Sequence, residues 1–420
     1  MANPQVLGLT GPFGSGATTA AQYLRDERSC RVVGLSTALR EKWSAEHPGQ
    51  LPSRQDLQQL GDRLRQEGGS GILVDLSLPE EVLRPLLGIQ DVADDSRVLV
   101  VDGIRNTGEI DRLRELFGFR FTLIALTASQ EARWDRIGSS AYLGVGRTRE
   151  DYVADDARDR NEETSWGQAV ELCVDASDII LANSADVTLG SFKAKVFEYF
   201  DLITGKATRH ARPDEIHMNL AYSSSHGSKC IKRQVGAVVV NPDGGVVGIG
   251  YNENPDTTFP CVEEPKYGFS CYRDIVRNDH FRQLDTKGTL CPTCGTAFGL
   301  IVGPPWVCPT CKASGMKTSL ESIFFPDRAM TWCTAIHAEV RAILAAGEKA
   351  KGATLFSTTF PCTQCSEFIA QAGILRVVFT ESYPDIRSAD RLDLAGIAYA
   401  QFEGVRSASF ERIFRSGRSR

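Results

Sequence analysis

The 420-residue chain lacks four things that would settle its class at once. No apolar run approaches the ~20 residues that cross a bilayer, so a membrane protein is not expected. The first residues, MANPQVLGLTGPF, carry no basic stretch ahead of an apolar core, so a secretory signal is not expected either. There is no excess of positive charge. The net charge is −6 and the sequence pI about 5.7, which argues against an extended nucleic-acid surface and leaves room only for a local basic pocket. No internal repeat is evident, which excludes a solenoid. What remains is ordinary for a globular protein, with 42% hydrophobic and 24% charged residues. The length allows roughly two to three domains. The twelve cysteines include three C-x-x-C pairs. In a chain expected to be cytoplasmic these suggest metal rather than disulfides.

The segment IHAEVRAILAAGEKAKGATLFSTTFPCTQC, residues 336 to 365, holds the densest chemistry. Cys362 and Cys365 are spaced i, i+3, which puts both on one face of a helix. Pro361 just before them marks that helix's first turn, where the dipole favours thiolate. His337 is expected to open a second helix, with Ile336, Val340, Ile343 and Leu344 as its buried face. ATLFSTTF between the two reads as a buried strand. One His and two Cys make three zinc ligands, and three with an open position is the arrangement of a catalytic site. Glu339 follows the His by two residues. It is placed to take a proton from water and pass it on without ligating the metal.

H-x-E followed by P-C-x-x-C resembles the signature of zinc-dependent nucleobase deaminases. The second half of the chain, from about Ile216 to Phe402, is similar to deoxycytidylate deaminases. SKCIKRQVGAVVV and GIGYN look like the end of their first helix and their first hairpin, turned at NPDGG. The resemblance implies Asn252 as a contact to the sugar hydroxyl, although a turn residue is the other reading. Lys229, Lys232 and Arg233 could meet substrate phosphates or form a solvated basic loop. Tyr383 could stack on the base or pack in the core. Arg341 stands where many deoxycytidylate deaminases have Asn. It could touch a more highly phosphorylated ligand or form an internal ion pair. The reaction implied is hydrolytic deamination of a free cytosine nucleotide. Glu339 would be the proton carrier, with His337, Cys362 and Cys365 holding zinc.

A second cluster, CPTCGTAFGLIVGPPWVCPTC, brings Cys291, Cys294, Cys308 and Cys311 into two knuckles that can close a four-thiolate structural zinc site. This insert, about residues 288–318, could be a stabilising staple, an oligomer contact or a knob for a partner. Cys261, Cys271 and Cys333 are left over nearby without a complete ligand set for a third zinc.

The N-terminal half alternates apolar strands and helical segments, which suggests a parallel sheet. VLGLTGPFGSGATTAAQYL is a strand, a glycine-rich loop and a helix, in the frame of a P-loop from Gly11 through Gly14, Ser15 and Gly16 to Thr18 and Thr19. Ala17 occupies the lysine position. Backbone amides can still cradle phosphate there, and Thr18 with Asp102 at the end of RVLVVDGIRN can still hold Mg2+. RWDRI and RDRNEE sit where nucleotide kinases keep lid arginines. The half resembles nucleoside monophosphate kinases. It reads as a degenerate nucleotide-binding or regulatory domain for ATP, GTP or a deoxynucleotide. An active kinase and a relic that binds nothing stay open.

The expected architecture is therefore α/β. A P-loop NTPase-like parallel sheet occupies 1–204, and a cytidine-deaminase-like α/β/α domain with a zinc-ribbon insert occupies 205–420. That combination resembles the bacterial anti-phage dCTP/dCMP deaminases, which drain the deoxycytidine nucleotide pool. Housekeeping dCMP deamination and nucleic-acid editing are the rival readings. Expected partners are free deoxycytidine nucleotides, a regulatory nucleotide, an RNA or protein inhibitor, and further copies of the chain.

Overall fold

The computed structural model describes residues 5–86, 98–137, 148–160, 168–184, 187–254, 271, 289–290, 293–298, 306–308, 310–315, 333, 335–381 and 386–415. The first strands are β1 (Gln5–Thr10), β2 (Arg31–Gly34), β3 (Val98–Ile104), β4 (Phe121–Thr127) and β5 (Ile179–Ala182). Then come β6 (Gly236–Val240), β7 (Val246–Tyr251) and four two-residue strands, β8 (Thr289–Leu290), β9 (Ala297–Phe298), β10 (Trp306–Val307) and β11 (Ser314–Gly315). The last are β12 (Thr354–Thr359), β13 (Arg376–Glu381), β14 (Ala398–Gln401) and β15 (Gly404–Val405).

The first sheet runs β15-β5-β4-β1-β3-β2, parallel from β5 to β2. All seven residues of β4 are buried, as expected of a parallel strand covered on both faces. Alternate residues feed two cores. Leu7, Leu9, Val100 and Leu126 pack with Leu24, Phe192 and Tyr199. Val6, Leu99, Val101 and Leu123 pack with Ile110, Leu113 and Phe117. The second sheet runs β14-β13-β12-β6-β7. β6 and β7 form the antiparallel hairpin expected at NPDGG, and β12 and β13 are parallel.

The division of the chain differs from the sequence expectation. Contacts split it into one unit of 1–219 with 400–420 and a second of 220–399. Residues 400–420, expected in the second domain, belong to the first. Backbone pairing is the reason, because β15 adds antiparallel to β5 at the edge of the first sheet. The helix Ser407–Arg415 follows. Arg406 donates to Val174 O (3.0 Å), and Arg412 donates to Phe121 O (3.0 Å) and Thr122 Oγ1 (3.1 Å). Glu215 ties the segment that leads out of this unit to the one that returns. It is fully buried and accepts from Arg209 (2.6 and 2.7 Å), from Arg212 N (2.7 Å) and from Val405 N (2.9 Å).

Burial opposes the Glu215 charge, but Arg209 and the two amides outweigh it and hold the carboxyl below its ordinary 4.5. A depressed carboxyl stabilises the fold above its unfolded value and loses that contribution as pH falls through the folded value. Glu215→Gln should therefore cost roughly 1.5–3 kcal/mol near pH 7. The difference from wild type should shrink below pH 4.5. Urea melts across that range measure it, and a constant gap down to pH 3 would refute it.

Candidate metal centre

The second unit's site is built on two helix starts. His337 is the N-cap of the helix Ala338–Ala346, and Cys362 is the N-cap of Thr363–Gln371. Neither side chain caps its own helix, so both point their donors elsewhere. His337 Nδ1 lies 3.1 Å from Cys365 Sγ and 3.4 Å from Cys362 Sγ. All three donor atoms lie within 4.8 Å of one another. Donors about 2.0–2.3 Å from one tetrahedral ion stand roughly 3.3–3.8 Å apart, so the set fits zinc. Glu339 is buried and stays outside the cluster of donors. Its Oε2 is 3.5 Å from Cys365 Sγ, and its Oε1 accepts from Ser357 Oγ at 3.3 Å.

The charges are coupled. Hydrogen bonds from Cys365 and then His337 bring the Cys362 thiol down to about 4, while the bond to Cys362 and burial push Cys365 up. A divalent metal would bind both cysteines as thiolates and displace their protons. Burial lowers His337, but its bond to Cys362 and the charges of Glu339 and Cys362 together outweigh that, so it lies above its ordinary value. Burial, with a smaller push from the Cys362 charge, raises Glu339. A carboxyl moved toward neutrality can both accept and return a proton.

The helix that carries His337 and Glu339 is seated by small residues. Its buried face is Ala338, Ala342 and Ala346, at i, i+4 and i+8, with Glu339 beside it. Ile336, Val340 and Ile343, expected to be buried, are only half-buried, and Leu344 is 67% exposed. The reason lies on the opposing strand. A Cβ on Gly248 of β7 would stand 2.1 Å from Ala342 O, and one on Gly250 would stand 2.3 Å from Ala338 O. Glycine against alanine lets the helix lie directly on the strand, and leucine would not fit.

The other expected contacts fare unevenly. Asn252 is buried, and its side chain braces the preceding loop. Oδ1 accepts from Val235 N (2.7 Å) and Nδ2 donates to Arg233 O (2.9 Å), which leaves one N–H and one lone pair for anything else. Arg233 pairs with Glu381 at 2.5 Å, and Lys232 is exposed. Arg341 pairs with Glu253 and lies over the Tyr251 ring, 4.7 Å from its centroid, so the internal ion pair is the form adopted. Tyr383 lies outside the described residues. Sequence reasoning missed Ser357, Gly248 and Gly250. The alternating glycines of VVGIGY were a signal of close backbone approach.

In the insert, one knuckle sits in the turn between β10 and β11, which pair antiparallel, as β8 and β9 do. Lys312 N bonds to Cys308 O (3.1 Å), and Cys308 N bonds to Ala313 O (2.8 Å). Cys294, Cys308 and Cys311 converge within 4.8 Å, a set that fits a thiolate-bound metal. Cys291 and Cys261 lie outside the described residues. Cys271 and Cys333 join no cluster among the described residues.

In the first unit, Gly16 is the N-cap of the helix Ala17–Arg28 and adopts φ 106°. A Cβ on Gly11 would stand 2.2 Å from Leu126 O, so only glycine lets β1 turn there. Thr18 Oγ1 donates to Asp102 Oδ2 at 2.9 Å, joining the loop to the end of β3. Burial raises the Asp102 carboxyl. Arg133 braces the loop from below, donating to Phe13 O (3.0 Å) and pairing with the buried Asp156 (2.5 and 2.8 Å). Gly14, Ser15 and Thr19 take their expected places along the loop and the first turn.

The region around the first cluster is similar to known deaminases. Residues 211–381 match the family model of the cytidine and deoxycytidylate deaminase zinc-binding region. This deaminase-like region holds His337, Glu339, Cys362 and Cys365. The human deoxycytidylate deaminase is 28% identical over 196 residues, which cover 45% of this chain and 78% of that protein. The Saccharomyces cerevisiae deoxycytidylate deaminase is 31% identical over 192 residues, covering 45% of this chain and 44% of its own. A UPF0200/UPF0201 protein of Archaeoglobus fulgidus is 30% identical over 174 residues, 40% of this chain and 48% of that one. Among the described residues no helix is long and apolar enough to cross a membrane.

Metal analysis of the purified chain should find two zinc ions per molecule, one per cluster. Cys294→Ser should lower zinc content and melting temperature together, because structural zinc binding is folding free energy. One zinc per folded chain would contradict this. Gly250→Ala should cost about 1–3 kcal/mol through overpacking, and it should weaken the zinc held at His337 more than that at Cys308. Equal retention of both ions, with unchanged stability, would show that the helix seat is looser than described.

Proposed function

We propose that the second unit deaminates free deoxycytidine nucleotides, dCMP or dCTP, by hydrolysis to the deoxyuridine nucleotide and ammonia. One observation carries the reading. A buried carboxyl, Glu339, raised above its ordinary value by burial, stands beside a three-donor cluster without joining it. His337, Cys362 and Cys365 would hold the zinc, which when bound lowers the pKa of water toward neutrality. Glu339 takes the proton of the attacking water and delivers it to N3 as the oxygen bonds to C4. It then relays the second proton to the departing nitrogen, so the C4–N4 bond breaks and ammonia leaves. Ser357 holds the other Glu339 oxygen in place during these transfers. The net charge of −6 supports a small nucleotide over an oligonucleotide. The names of the human and yeast relatives support the deoxycytidylate class.

The first unit is proposed to bind a nucleoside polyphosphate with Mg2+ through the loop amides, Thr18 and Asp102. Without a lysine at Ala17 it is not expected to transfer phosphate efficiently. Draining the dCTP pool during phage infection is the role we assign to the whole chain. Its basis is the pairing of this loop with a deaminase-like region.

The test uses the full chain with dCMP, dCTP and a cytosine-containing oligonucleotide, following ammonia and the uracil product. The nucleotides should react and the oligonucleotide should not, whereas the opposite pattern would favour editing. Glu339→Gln should keep zinc and lose ~10²–10⁴-fold in turnover. Turnover within about tenfold of wild type would sink the assignment.

A further inference from the structure

A P-loop that lacks its lysine still has to balance phosphate charge. The structure offers a residue for that task on the neighbouring strand. β1 and β3 lie side by side, with Thr10 in register with Ile104, and Thr10 Oγ1 donates to Ile104 O at 2.8 Å. The residues that follow are Gly11 on one strand and Arg105 on the other. They leave the sheet next to each other at its carboxyl end, where ligands bind in open α/β sheets. Arg105 is half-buried and firmly held. Its N–H donates to Glu109 Oε2 (2.8 Å), its carbonyl accepts from Ala169 N (2.8 Å), and its Nη1 donates to Gln168 Oε1 (3.1 Å). Burial raises the half-buried Asp102 carboxyl, and the Arg105 charge opposes that rise after the Thr18 bond, so the guanidinium is within electrostatic reach of the group that Thr18 binds.

The loop itself is built for an anion. Gly11, Gly14 and Gly16 all have positive φ, and the helix Ala17–Arg28 begins with no side-chain cap. Ser15 is 1% exposed, and its hydroxyl has no hydrogen-bond partner. That hydroxyl lies inside the curve of the loop, 2.6 Å from where a Cβ on Gly11 would stand. A buried hydroxyl without a partner costs free energy that a bound oxyanion would recover. Two other arginines near the loop have structural duties. Arg133 is closed onto Asp156 and Phe13 O, and Arg136 donates to Asn183 O and Ser184 O.

We propose that Arg105 supplies the cation that Ala17 withholds, gripping the phosphates of a nucleoside polyphosphate seated on the Gly11–Thr18 loop. This rests on the reading that the loop binds nucleotide phosphates. A guanidinium at the end of β3 replaces an ammonium on the helix. It presents a planar fork suited to two phosphate oxygens. The arrangement favours holding a polyphosphate over following its charge through transfer, because the cation belongs to a braced strand end.

The experiment titrates the full chain with a fluorescent N-methylanthraniloyl ATP in Mg2+, with inorganic tripolyphosphate as competitor. Thermal melts confirm folding of each variant. Wild type should bind, and Thr18→Ala should weaken binding. Arg105→Gln should weaken it at least tenfold, the scale of one charge-assisted contact. The decisive variant is Arg105→Gln combined with Ala17→Lys, which returns a cation to the loop and should restore most of the affinity. Wild-type affinity in folded Arg105→Gln overturns the proposal and leaves the loop reading standing. Loss of affinity that Ala17→Lys does not recover also overturns it, since Arg105 would then be structural. No binding by wild type overturns the loop reading and this inference together.

Discussion

The second unit depends on how closely one helix can approach one strand. Ala338, Ala342 and Ala346 rest on Gly248 and Gly250 with no room for another carbon. That approach sets the position of His337 at the helix start and of Glu339 in its first turn. The parallel pairing of β12 with β13 then brings the start of Thr363–Gln371 to the same place, because Phe360 N bonds to Glu381 O just before Pro361 and Cys362. Candidate zinc ligands separated by 25 and 28 positions meet through this backbone packing.

The first unit shows the same economy in its connections. Its sheet is completed by a strand from the far end of the chain, and the 407–415 helix packs Ile413 and Phe414 against that unit's core. Glu215 holds the outgoing and returning segments with one buried carboxylate. The second unit is therefore inserted into the first along the chain, instead of following it. Removing the last twenty residues would strip the first sheet of its edge strand and expose β5.

The loop of the first unit has the parts of a P-loop that act by shape, with Ala17 in place of a side-chain cation. Glycines at positive φ, an uncapped helix start and the Thr18–Asp102 bond persist with Ala17 in the lysine position. Amide dipoles and a helix terminus attract an anion without a formal charge, which is the basis of the binding proposed for this loop. Phosphoryl transfer asks for more, since charge has to be balanced as it moves.

Features set by short-range chemistry were legible in the sequence. The i, i+3 cysteines, the Pro before them, the His–Glu spacing, the NPDGG turn and the glycine frame of the P-loop each depend on a few neighbouring residues. They appear in the structure where the spacing put them, except that Pro361 lies just ahead of the helix, which begins at Thr363 with Cys362 as its N-cap. What only the tertiary structure decided depends on residues far apart in the chain. Periodicity pointed to Val340 and Leu344 as buried, and the glycines of β7 selected the alanine face. Arg341 could have faced a ligand, and Glu253, 88 residues away, took it into an ion pair. Asn252 could have stood open, and the loop at 233–235 engaged both ends of its amide. The chain after residue 400 carries no motif that assigns it to either unit. A free edge on β5, with unpaired backbone groups to satisfy, decided that it returns to the first.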